Sequence, residues 1–515
     1  MEKRLFLAVV LSLAVLVGWG TLVSKTQKPV SQQVVANIAA GGSEAVRTIV
    51  AEAPAQVPAG TSAPVQSAPS TLINFPQEKF DVDFIEELSA IKDVNFKVFQ
   101  DYKYNLKSAF ALVGKGAFRK ELFTANTATF IHKDRELLIT KKYIFSNSNY
   151  TIDLEIEVQN NSGAPIKLDL PLILGVLDFT PKSIDTTYLN VTAATNEKVL
   201  QENGKKEMSW DKVKFLAVRD RYFCAIIERV DGNTGAYVRK LSAQESEVGL
   251  TLKDLIAAPG LPLKLKFHIY LGPQQLQVIN GVNRDWGAVI NYGIFDFFGQ
   301  AILKSLEFVQ RLVGNWGWAI ILLSVLVFLV LFPLTLKQMR SMKEMQILQP
   351  KIEELRKKYK DNPQKLNQET LALYKEHKVN PLGGCLPMLL QMPILFALYQ
   401  VLMRSVALRG AEFLWIKDLS MPDCLFKLPQ SIPVLGNEIN ILPILMTIGM
   451  FLQQKMSTVK QCSDSSTAQQ QKIMMIAMPI MFLVFFYHLP AGLVLYWVVN
   501  STLMMAYQFK IMRAR

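Results

Sequence analysis

Six stretches of this chain are rich in apolar residues and contain no Asp, Glu, Lys or Arg, and they constrain the fold more than any other feature. A helix needs about 20 apolar residues to cross roughly 30 Å of hydrocarbon. The stretches are residues 5–23, 316–336, 382–403, 439–454, 473–488 and 491–509. We therefore predict a polytopic α-helical membrane protein with six transmembrane helices. The fourth and fifth stretches are short, and each alone could also be a buried helix of a soluble protein.

The distribution of basic residues predicts how these helices are oriented, because Lys and Arg collect in cytosolic loops. Four segments hold +11 of the net charge of +13, namely residues 1–4, 337–381, 455–472 and 510–515. We predict that these segments, and therefore both termini, are cytosolic, and that residues 24–315 and 404–438 lie outside. The excess of basic residues then reflects the orientation of the helices in the membrane. We therefore predict no direct nucleic-acid partner.

The N-terminal stretch follows Lys3 and Arg4, as in a signal peptide, but no clear A-x-A cleavage site follows Gly18-Trp19-Gly20. We predict that residues 1–23 are an uncleaved transmembrane signal anchor, with a cleaved signal peptide as the alternative. Residues 24–70 are rich in Ala, Val, Pro, Ser and Gln, which is typical of a flexible linker.

Residues 71–290 have the pattern of strands. Apolar residues alternate with polar ones along 150–158 and 263–271, which marks half-buried strands. Turn signals such as Asp231-Gly232-Asn233 and Pro259-Gly260 separate the strands. We predict one large all-β sandwich domain. Cys224 is either a small core residue or the partner of Cys424 in a disulfide.

Two further segments are predicted to be helical. Residues 291–314 mix Phe and Leu with a few charges, which indicates an amphipathic helix at the outer membrane interface; an N-terminal extension of the next span is the alternative. Residues 337–381 form a cytosolic hairpin, with helices at 338–348, 351–360 and 364–377 separated at Pro350 and Pro363. Its basic face is either solvated beside anionic lipid or a docking surface. The basic residues concerned are Arg356, Lys357, Lys358, Lys360 and Lys365.

Signatures of enzyme chemistry are missing from the sequence. It has no phosphate-binding G-x-x-x-x-G-K-[ST] loop, no H-E-x-x-H or paired-Cys spacing and no G-x-S-x-G elbow. We predict no catalytic residue, no metal and no cofactor. Polar uncharged side chains do occur within the spans, and they either bond across helices or line a wet cavity. They are Ser324, Gln391, Gln400, Thr447, Gln453, Asn500, Ser501 and Thr502.

Three groups of motifs stand out within residues 315–510. The first is Pro333-Leu334-Thr335, followed by Leu348-Gln349-Pro350-Lys351-Ile352. The second is Asn380-Pro381-Leu382-Gly383-Gly384-Cys385, followed by Gln391-Met392-Pro393-Ile394. The third is Gln470-Gln471-Lys472-Ile473-Met474, followed by Met478-Pro479 and Pro490-Ala491-Gly492-Leu493-Val494-Leu495-Tyr496. Together these motifs resemble the YidC family of membrane protein insertases, and the anchor, linker and outer β domain are similar to the Gram-negative form of the family.

The resemblance implies a five-helix insertase core at 315–510 in the bacterial inner membrane, with the large domain in the periplasm. It implies a hydrophilic groove, open to cytosol and lipid, that inserts, folds and assembles membrane proteins without covalent chemistry. The implied partners are nascent membrane proteins, the lipid bilayer, a Sec-type translocon, the ribosome and targeting factors. The predicted groove residues are Ser324, Phe328, Gln391, Met392, Leu395, Phe485, Tyr496, Trp497 and Asn500.

One position departs from the family. The family usually has an Arg in the groove five residues before the Pro of the Pro-Leu-Thr motif, where this chain has Phe328, and residues 316–336 contain no Lys or Arg. This Arg is therefore not available to attract acidic substrate tails. Either hydration with bilayer thinning suffices, or another residue compensates, for which Arg404 at the predicted outer end is a weak candidate. The alternative functions are a transporter or channel, although the spans show neither inverted repeats nor charges, and a membrane-anchored carbohydrate-active protein.

Overall fold

The described part of the chain consists of a β domain followed by a helical core. The computed structural model describes residues 71–513, apart from residues 100–101, 147, 181–184, 292–295, 361, 378, 380–385, 433–435 and 458–464. The predicted signal anchor (1–23) and linker (24–70) lie outside the described residues.

Seventeen strands are described in the β domain, and all their pairings within sheets are antiparallel. The strands are β1 (Leu72–Pro76), β2 (Phe80–Ile85), β3 (Ala90–Phe96), β4 (Tyr102–Ala109), β5 (Arg119–Phe123), β6 (Thr127–Lys133), β7 (Leu137–Phe145), β8 (Thr151–Asn160), β9 (Ile166–Asp178), β10 (Asn190–Ala194), β11 (Val199–Glu202), β12 (Met208–Val213), β13 (Phe215–Arg219), β14 (Phe223–Arg229), β15 (Thr234–Lys240), β16 (Glu245–Ala257) and β17 (Leu263–Pro273).

These strands form two layers, as predicted for a β-sandwich. One layer is a nine-stranded sheet in the order β11-β10-β13-β14-β17-β8-β7-β6-β5. The other consists of two four-stranded sheets, β1-β2-β3-β4 and β12-β15-β16-β9. Backbone hydrogen bonds join their edges, since the Phe110 amide donates to the Ile173 carbonyl (2.6 Å) and the Ile173 amide to the Ala111 carbonyl (3.0 Å).

Aromatic rings fill much of the space between the layers. Phe96 of β3 stacks on Phe223 of β14 with ring centroids 4.0 Å apart, and Phe84 of β2 lies 5.1 Å from Phe130 of β6. Large rings that interdigitate in this way bury much apolar area and fix the register of the two layers. Cys224 is buried in this core, and both Cys224 and Cys424 are free thiols. The core interpretation of Cys224 is therefore correct, and burial raises the pKa of its thiol.

The alternation predicted for 150–158 and 263–271 corresponds to β8 and β17, which pair directly with Leu265 opposite Ile156. One residue of this alternation contradicts the prediction. Tyr270 belongs to the polar set of the alternation, yet it is fully buried. The end of β17 is covered on both faces, and the Tyr270 hydroxyl donates to the Pro273 carbonyl (2.8 Å).

Eight helices are described after the strands. They are α1 (Leu276–Val282), α2 (Asp296–Val313), α3 (Trp316–Lys358), α4 (Pro363–Glu376), α5 (Leu386–Arg404), α6 (Ile441–Ser457), α7 (Ser465–Phe486) and α8 (Ala491–Arg513). Between α5 and α6, the connecting loop carries a short hairpin, β18 (Phe426–Ile432) and β19 (Gly436–Ile439). Single 3₁₀ turns occur at Glu86–Leu88, Lys97–Phe99, Asp185–Tyr188, Arg284–Val289 and Val406–Leu408.

The described helices do not reproduce the predicted count of six spans. Within the described residues, one segment is long and apolar enough to cross a membrane, Trp316–Lys337 of α3, with 22 residues. Two apolar stretches are shorter, Ile441–Met456 in α6 and Ile476–Phe486 in α7. In α8 the polar run Asn500-Ser501-Thr502 dilutes the hydrophobicity of the helix.

The amphipathic helix predicted at 291–314 corresponds to α2 and is separate from the span that follows. Gly314 has a positive φ of 72°, and the Asn315 side chain caps α3 by accepting from the Gly317 amide (2.9 Å). One face of α2, with Ile302 and Leu306, is buried. The opposite face leaves Phe297, Phe298, Phe308 and Leu312 exposed, as expected at a membrane interface.

The predicted helix break at Pro350 is wrong. Helix α3 runs for 43 residues, from Trp316 to Lys358, through both Pro333 and Pro350. Leu348 and Ile352 lie four residues apart on one face and are buried with Val379. Packing on both sides of Pro350 therefore keeps this turn helical despite the missing N–H. The break at Pro363 is confirmed, since Asn362 caps α4 by accepting from the Lys365 amide (3.1 Å).

Candidate functional site

A polar contact between α5 and α8 links two of the predicted groove residues. The Gln391 side-chain amide donates to the Tyr496 hydroxyl. Gln391 is half-buried, whereas Tyr496 is fully buried. The hydroxyl of a buried Tyr normally requires a partner, and Gln391 supplies it. The two residues come from separate motifs of the sequence, and the structure brings them together.

Two predicted residues lie on α3. Ser324 is fully buried, and its hydroxyl donates to the Ile320 carbonyl of its own helix (2.7 Å). Phe328, one turn further, is half-buried, and its ring lies 5.8 Å from that of Phe332. Phe332 in turn lies 4.9 Å from Tyr507 of α8. Position 328 therefore belongs to an aromatic row that reaches from α3 to α8.

The remaining predicted residues lie on three helices. Met392 and Leu395 of α5 and Trp497 and Asn500 of α8 are half-buried. The Trp497 ring packs between Phe482 and Phe486 of α7, at 6.0 and 5.3 Å. Phe485 points away from this contact and is 59% exposed. That these nine residues line one groove stays a prediction.

Four polar side chains of the spans, Ser324, Gln391, Thr447 and Thr502, make hydrogen bonds of two kinds. The hydroxyls of Thr447 and Thr502 donate to the carbonyls of Pro443 and Val498, four residues back in their own helices (2.7 Å each). Like Ser324, they need no cross-helix partner. Gln391 is different because its partner is on another helix. Of the two alternatives predicted for the polar side chains, bonding across helices therefore applies to Gln391.

The loop between α5 and α6 contacts the ends of several core helices. The amides of Ala491 and Gly492, in the first turn of α8, donate to the carbonyls of Met421 (2.7 Å) and Leu419 (2.9 Å). First-turn amides have no partner within their helix, so these loop carbonyls replace water. A Cβ at Gly492 would lie 3.2 Å from the Leu419 carbonyl oxygen and 3.1 Å from Ile320, which explains the small residue in the Pro-Ala-Gly motif.

The same loop fixes the starts of α6 and α3. The Asp423 carboxylate accepts from the amides of Ile441 (2.8 Å) and Leu442 (2.9 Å) at the beginning of α6. A carboxylate at this position also interacts favourably with the helix dipole. At the beginning of α3, a Cβ on Gly317 would lie 2.0 Å from Phe413 of the loop, so only glycine permits this approach.

The hairpin formed by the end of α3 and by α4 has the basic surface that the sequence predicts. The five residues Arg356, Lys357, Lys358, Lys360 and Lys365 are all exposed. Lys358 and Lys365 flank the Tyr359 ring, at 5.5 and 5.3 Å from its centroid. The hairpin is held by the buried residues Leu348, Ile352 and Val379, with Leu373 and Tyr374 packed against them.

The sequence analysis missed three cations that are buried in the described part of the β domain, namely Lys141, Arg219 and Arg221. Lys141 occupies an inward position of β7 and donates to the carbonyls of Ser89 (2.8 Å) and Phe110 (2.5 Å). Burial lowers the pKa of its amine well below the usual range. A lysine at an apolar position of the period-two pattern was the available signal. Arg221, between β13 and β14, is buried against the helical core.

Two open clefts are found at the β domain, of about 450 and 580 Å³, and neither borders the predicted groove residues. Within the described residues, no group of three His, Cys, Asp or Glu side chains could hold a metal ion.

Comparison with known proteins assigns both parts of the chain. Residues 308–515 match the family model of the 60Kd inner membrane protein, and residues 101–305 match that of the YidC periplasmic domain. A relative from Pelobacter propionicus, named Membrane protein insertase YidC, is 31% identical, and the alignment covers 99% of both chains. A relative of the same name from Syntrophobacter fumaroxidans is 37% identical over 73% of this chain and 68% of its own length. A solved structure of an active YidC insertase, with its first transmembrane domain resolved, covers 86% of this chain and 93% of that chain at 20% identity and a TM-score of 0.41.

Proposed function

This chain belongs to the YidC family of membrane protein insertases, and from that premise we propose that its helical core inserts hydrophobic segments of nascent proteins into the bacterial inner membrane without covalent chemistry. The names of the relatives support this function and not a transporter, a channel or a carbohydrate-active protein.

The observation that carries the mechanism is the mismatch in length among neighbouring helices. Helix α6 packs against α7 and α8, and α8 packs against α3. The apolar stretch Ile441–Met456 of α6 is only about 24 Å long at 1.5 Å per residue, whereas Trp316–Lys337 of α3 is about 33 Å long. The hydrocarbon core is about 30 Å thick. Beside α6 the bilayer is therefore expected to thin, which shortens the path of a polar segment.

The Gln391–Tyr496 bond joins α5 and α8 at the predicted groove, and Gln391 is only half-buried, so its side chain can also meet water or a polar substrate group. A substrate segment with polar flanks would meet hydrogen-bonding groups there instead of hydrocarbon, which lowers its desolvation cost. Its apolar helix then leaves into lipid, where burial of each Leu, Ile, Phe or Val contributes about −0.3 to −0.6 kcal/mol. Because Phe328 replaces a cation, the driving force in this chain comes from apolar burial and thinning, not from attraction of an acidic tail.

The topology that fits this mechanism has six spans. Both termini and the α3–α4 hairpin are cytosolic, and the β domain and the α5–α6 loop are periplasmic. The basic side chains at 356–360 and Lys365 then face the side from which nascent chains arrive. Their exposure supports docking of a ribosome, a targeting factor or a Sec-type translocon.

The function can be tested with the full-length chain in liposomes. A single-span substrate should become integrated without ATP, measured by protection of its span from protease. Liposomes of the same lipids without protein are the control. Because thinning lowers the barrier, integration should also slow when the lipid acyl chains are lengthened. Integration no faster than in protein-free liposomes would contradict the proposed function, and insensitivity to acyl length would contradict the mechanism.

A further inference from the structure

The turn between β13 and β14 reaches from the β domain into the helical core. Arg221 lies at its centre and is only 3% exposed. Its Nε donates to the carbonyl of Met403 (2.7 Å), and its Nη2 donates to the carbonyl of Ser420 (3.0 Å). The hydroxyls of the neighbouring Tyr222 and of Ser420 are 3.3 Å apart.

The acceptors of Arg221 belong to two different helix ends. Met403 is in the last turn of α5, where carbonyls lack partners within the helix and the helix dipole is negative. Ser420 lies between Leu419 and Met421, whose carbonyls accept from the first amides of α8. One guanidinium therefore ties the outer end of α5 to the loop that caps the outer end of α8.

The turn that presents Arg221 is rigidly built. The Asp220 carboxylate accepts from the amides of Tyr222 and Phe223 (2.7 Å each) and from the Tyr102 hydroxyl (2.9 Å). The Gln274 side chain donates to the Asp220 carbonyl (2.8 Å). Because these bonds lie within the β domain, the position of Arg221 is set before it meets the core.

Two arginines of the core make the reciprocal contact with the β domain. Arg404, next to Met403, donates to the Asn291 carbonyl (2.5 Å), and its guanidinium lies 5.4 Å from the Tyr188 ring. Arg409 donates to the Phe99 carbonyl (2.5 Å) and lies 4.8 Å from the Tyr102 ring. Planar guanidinium groups suit such combined carbonyl and aromatic contacts better than lysine does.

We propose that Arg221 is a positioning residue of the insertase core: it fastens the outer ends of α5 and α8 together and so keeps the groove closed on the outer side. The β domain is then a structural part of this closure. The inference rests on the proposed function for its purpose, but the closure can be measured without any substrate.

The test measures access to the interior of the core from outside. Ser324, fully buried on α3, is replaced by Cys as a reporter, with Cys385, Cys424 and Cys462 changed to Ser and the buried Cys224 retained. Right-side-out vesicles are treated with a charged, membrane-impermeant maleimide. In Arg221→Met, which keeps the length but not the donors, the reporter should be labelled at least ten times faster than in the parent.

A matched control is available two residues away. Arg219 is also buried, but its Nη1 donates to the Val289 carbonyl (3.0 Å), within the part of the chain that precedes the core. Arg219→Met should leave the labelling rate at the parental value. Arg221→Lys, which retains the charge but not the forked donors, should give an intermediate rate.

Parental labelling in folded Arg221→Met, or equal acceleration in Arg219→Met, would overturn the proposal. Loss of folded protein in both the Met and Lys variants would overturn it as well, since Arg221 would then be required for folding and not for closure. Insertion by the parent in liposomes is measured separately, so a failure of the proposed function leaves the labelling comparison intact.

Discussion

The hydrogen bond between Gln391 and Tyr496 can be measured by a double-mutant cycle. Gln391→Leu leaves the fully buried Tyr496 hydroxyl without its amide donor, which costs about 1–3 kcal/mol. Tyr496→Phe leaves an amide that is only half-buried, so we expect a smaller cost of about 0.5–1.5 kcal/mol. The double variant removes both partners and should cost less than the two single changes combined.

Hydrogen bonds between helices in membranes have coupling energies that average about 0.6 kcal/mol and reach about 1.7 kcal/mol. These values set the expectation for the Gln391–Tyr496 pair. We expect about 1 kcal/mol, because Tyr496 is fully buried. The measurement is reversible unfolding of the full chain in mixed micelles, with the free energy of unfolding determined for all four proteins.

A control cycle combines Gln391→Leu with Thr502→Val. The Thr502 hydroxyl bonds its own helix at the Val498 carbonyl, so the two changes should add within about 0.3–0.5 kcal/mol. If the Gln391–Tyr496 cycle is equally additive, the bond contributes nothing to the core, and the argument that it organises the groove is refuted.

Three further predictions concern other parts of the chain. Phe328→Arg should raise insertion of a substrate with an Asp tail relative to one with an Asn tail by up to about a hundredfold, because a charge pair at about 6 Å gains up to ~3 kcal/mol at an effective dielectric of about 20. An unchanged ratio, or the same change in Phe328→Gln, would contradict this. Lys107 lowers the pKa of Asp178 to about 2, so this carboxylate stabilises the β domain above about pH 4 and loses that effect as the pH falls toward 2. Lys107→Met should lower the free energy of unfolding by about 1 kcal/mol at neutral pH, less than the full pKa shift implies, because both side chains are 31% exposed. The same change should make the stability of the β domain less dependent on pH in the acid range. Pro350→Ala should restore a helical hydrogen bond in α3 and stabilise this turn by about 1–3 kcal/mol. The measurement is amide hydrogen exchange, which should slow around residue 350. Unchanged exchange would show that the packing of Leu348 and Ile352 alone keeps this turn helical.

The elements that sequence analysis predicted well have a local cause. The alternation along β8 and β17 follows from one buried face, and the cap at Asn362 with Pro363 follows from the needs of a helix start. Where both faces of a strand are covered, as at Tyr270, the alternation no longer reports burial. The prediction then fails because the covering element is distant in sequence.

The candidate site could be predicted only in part for the same reason. Motifs identified Gln391 and Tyr496, but their contact is an interaction between residues 105 positions apart. Pro350 carries a strong local signal for a break, and burial of Leu348 and Ile352 against Val379 overrides it. Arg221 has no local signal of contact with the core, because its acceptors are backbone carbonyls nearly 200 residues away.

The distribution of charge around the core relates the contacts of Arg221 and Arg404 to the missing cation at position 328. In the proposed topology, Arg221 and Arg404 lie beside the outer ends of core helices and lysines cover the cytosolic hairpin, whereas residues 316–336 contain no Lys or Arg. A cation midway through the core would attract an acidic tail, but it would also hold that tail back from release into the outer compartment. In the mechanism proposed above, Phe328 offers no cation to hold a crossing segment. The proposed core depends instead on a short apolar path beside α6, and a short path would leak unless its outer end is closed. Fastening α5 and α8 together from the β domain meets that requirement without placing a charge in the path.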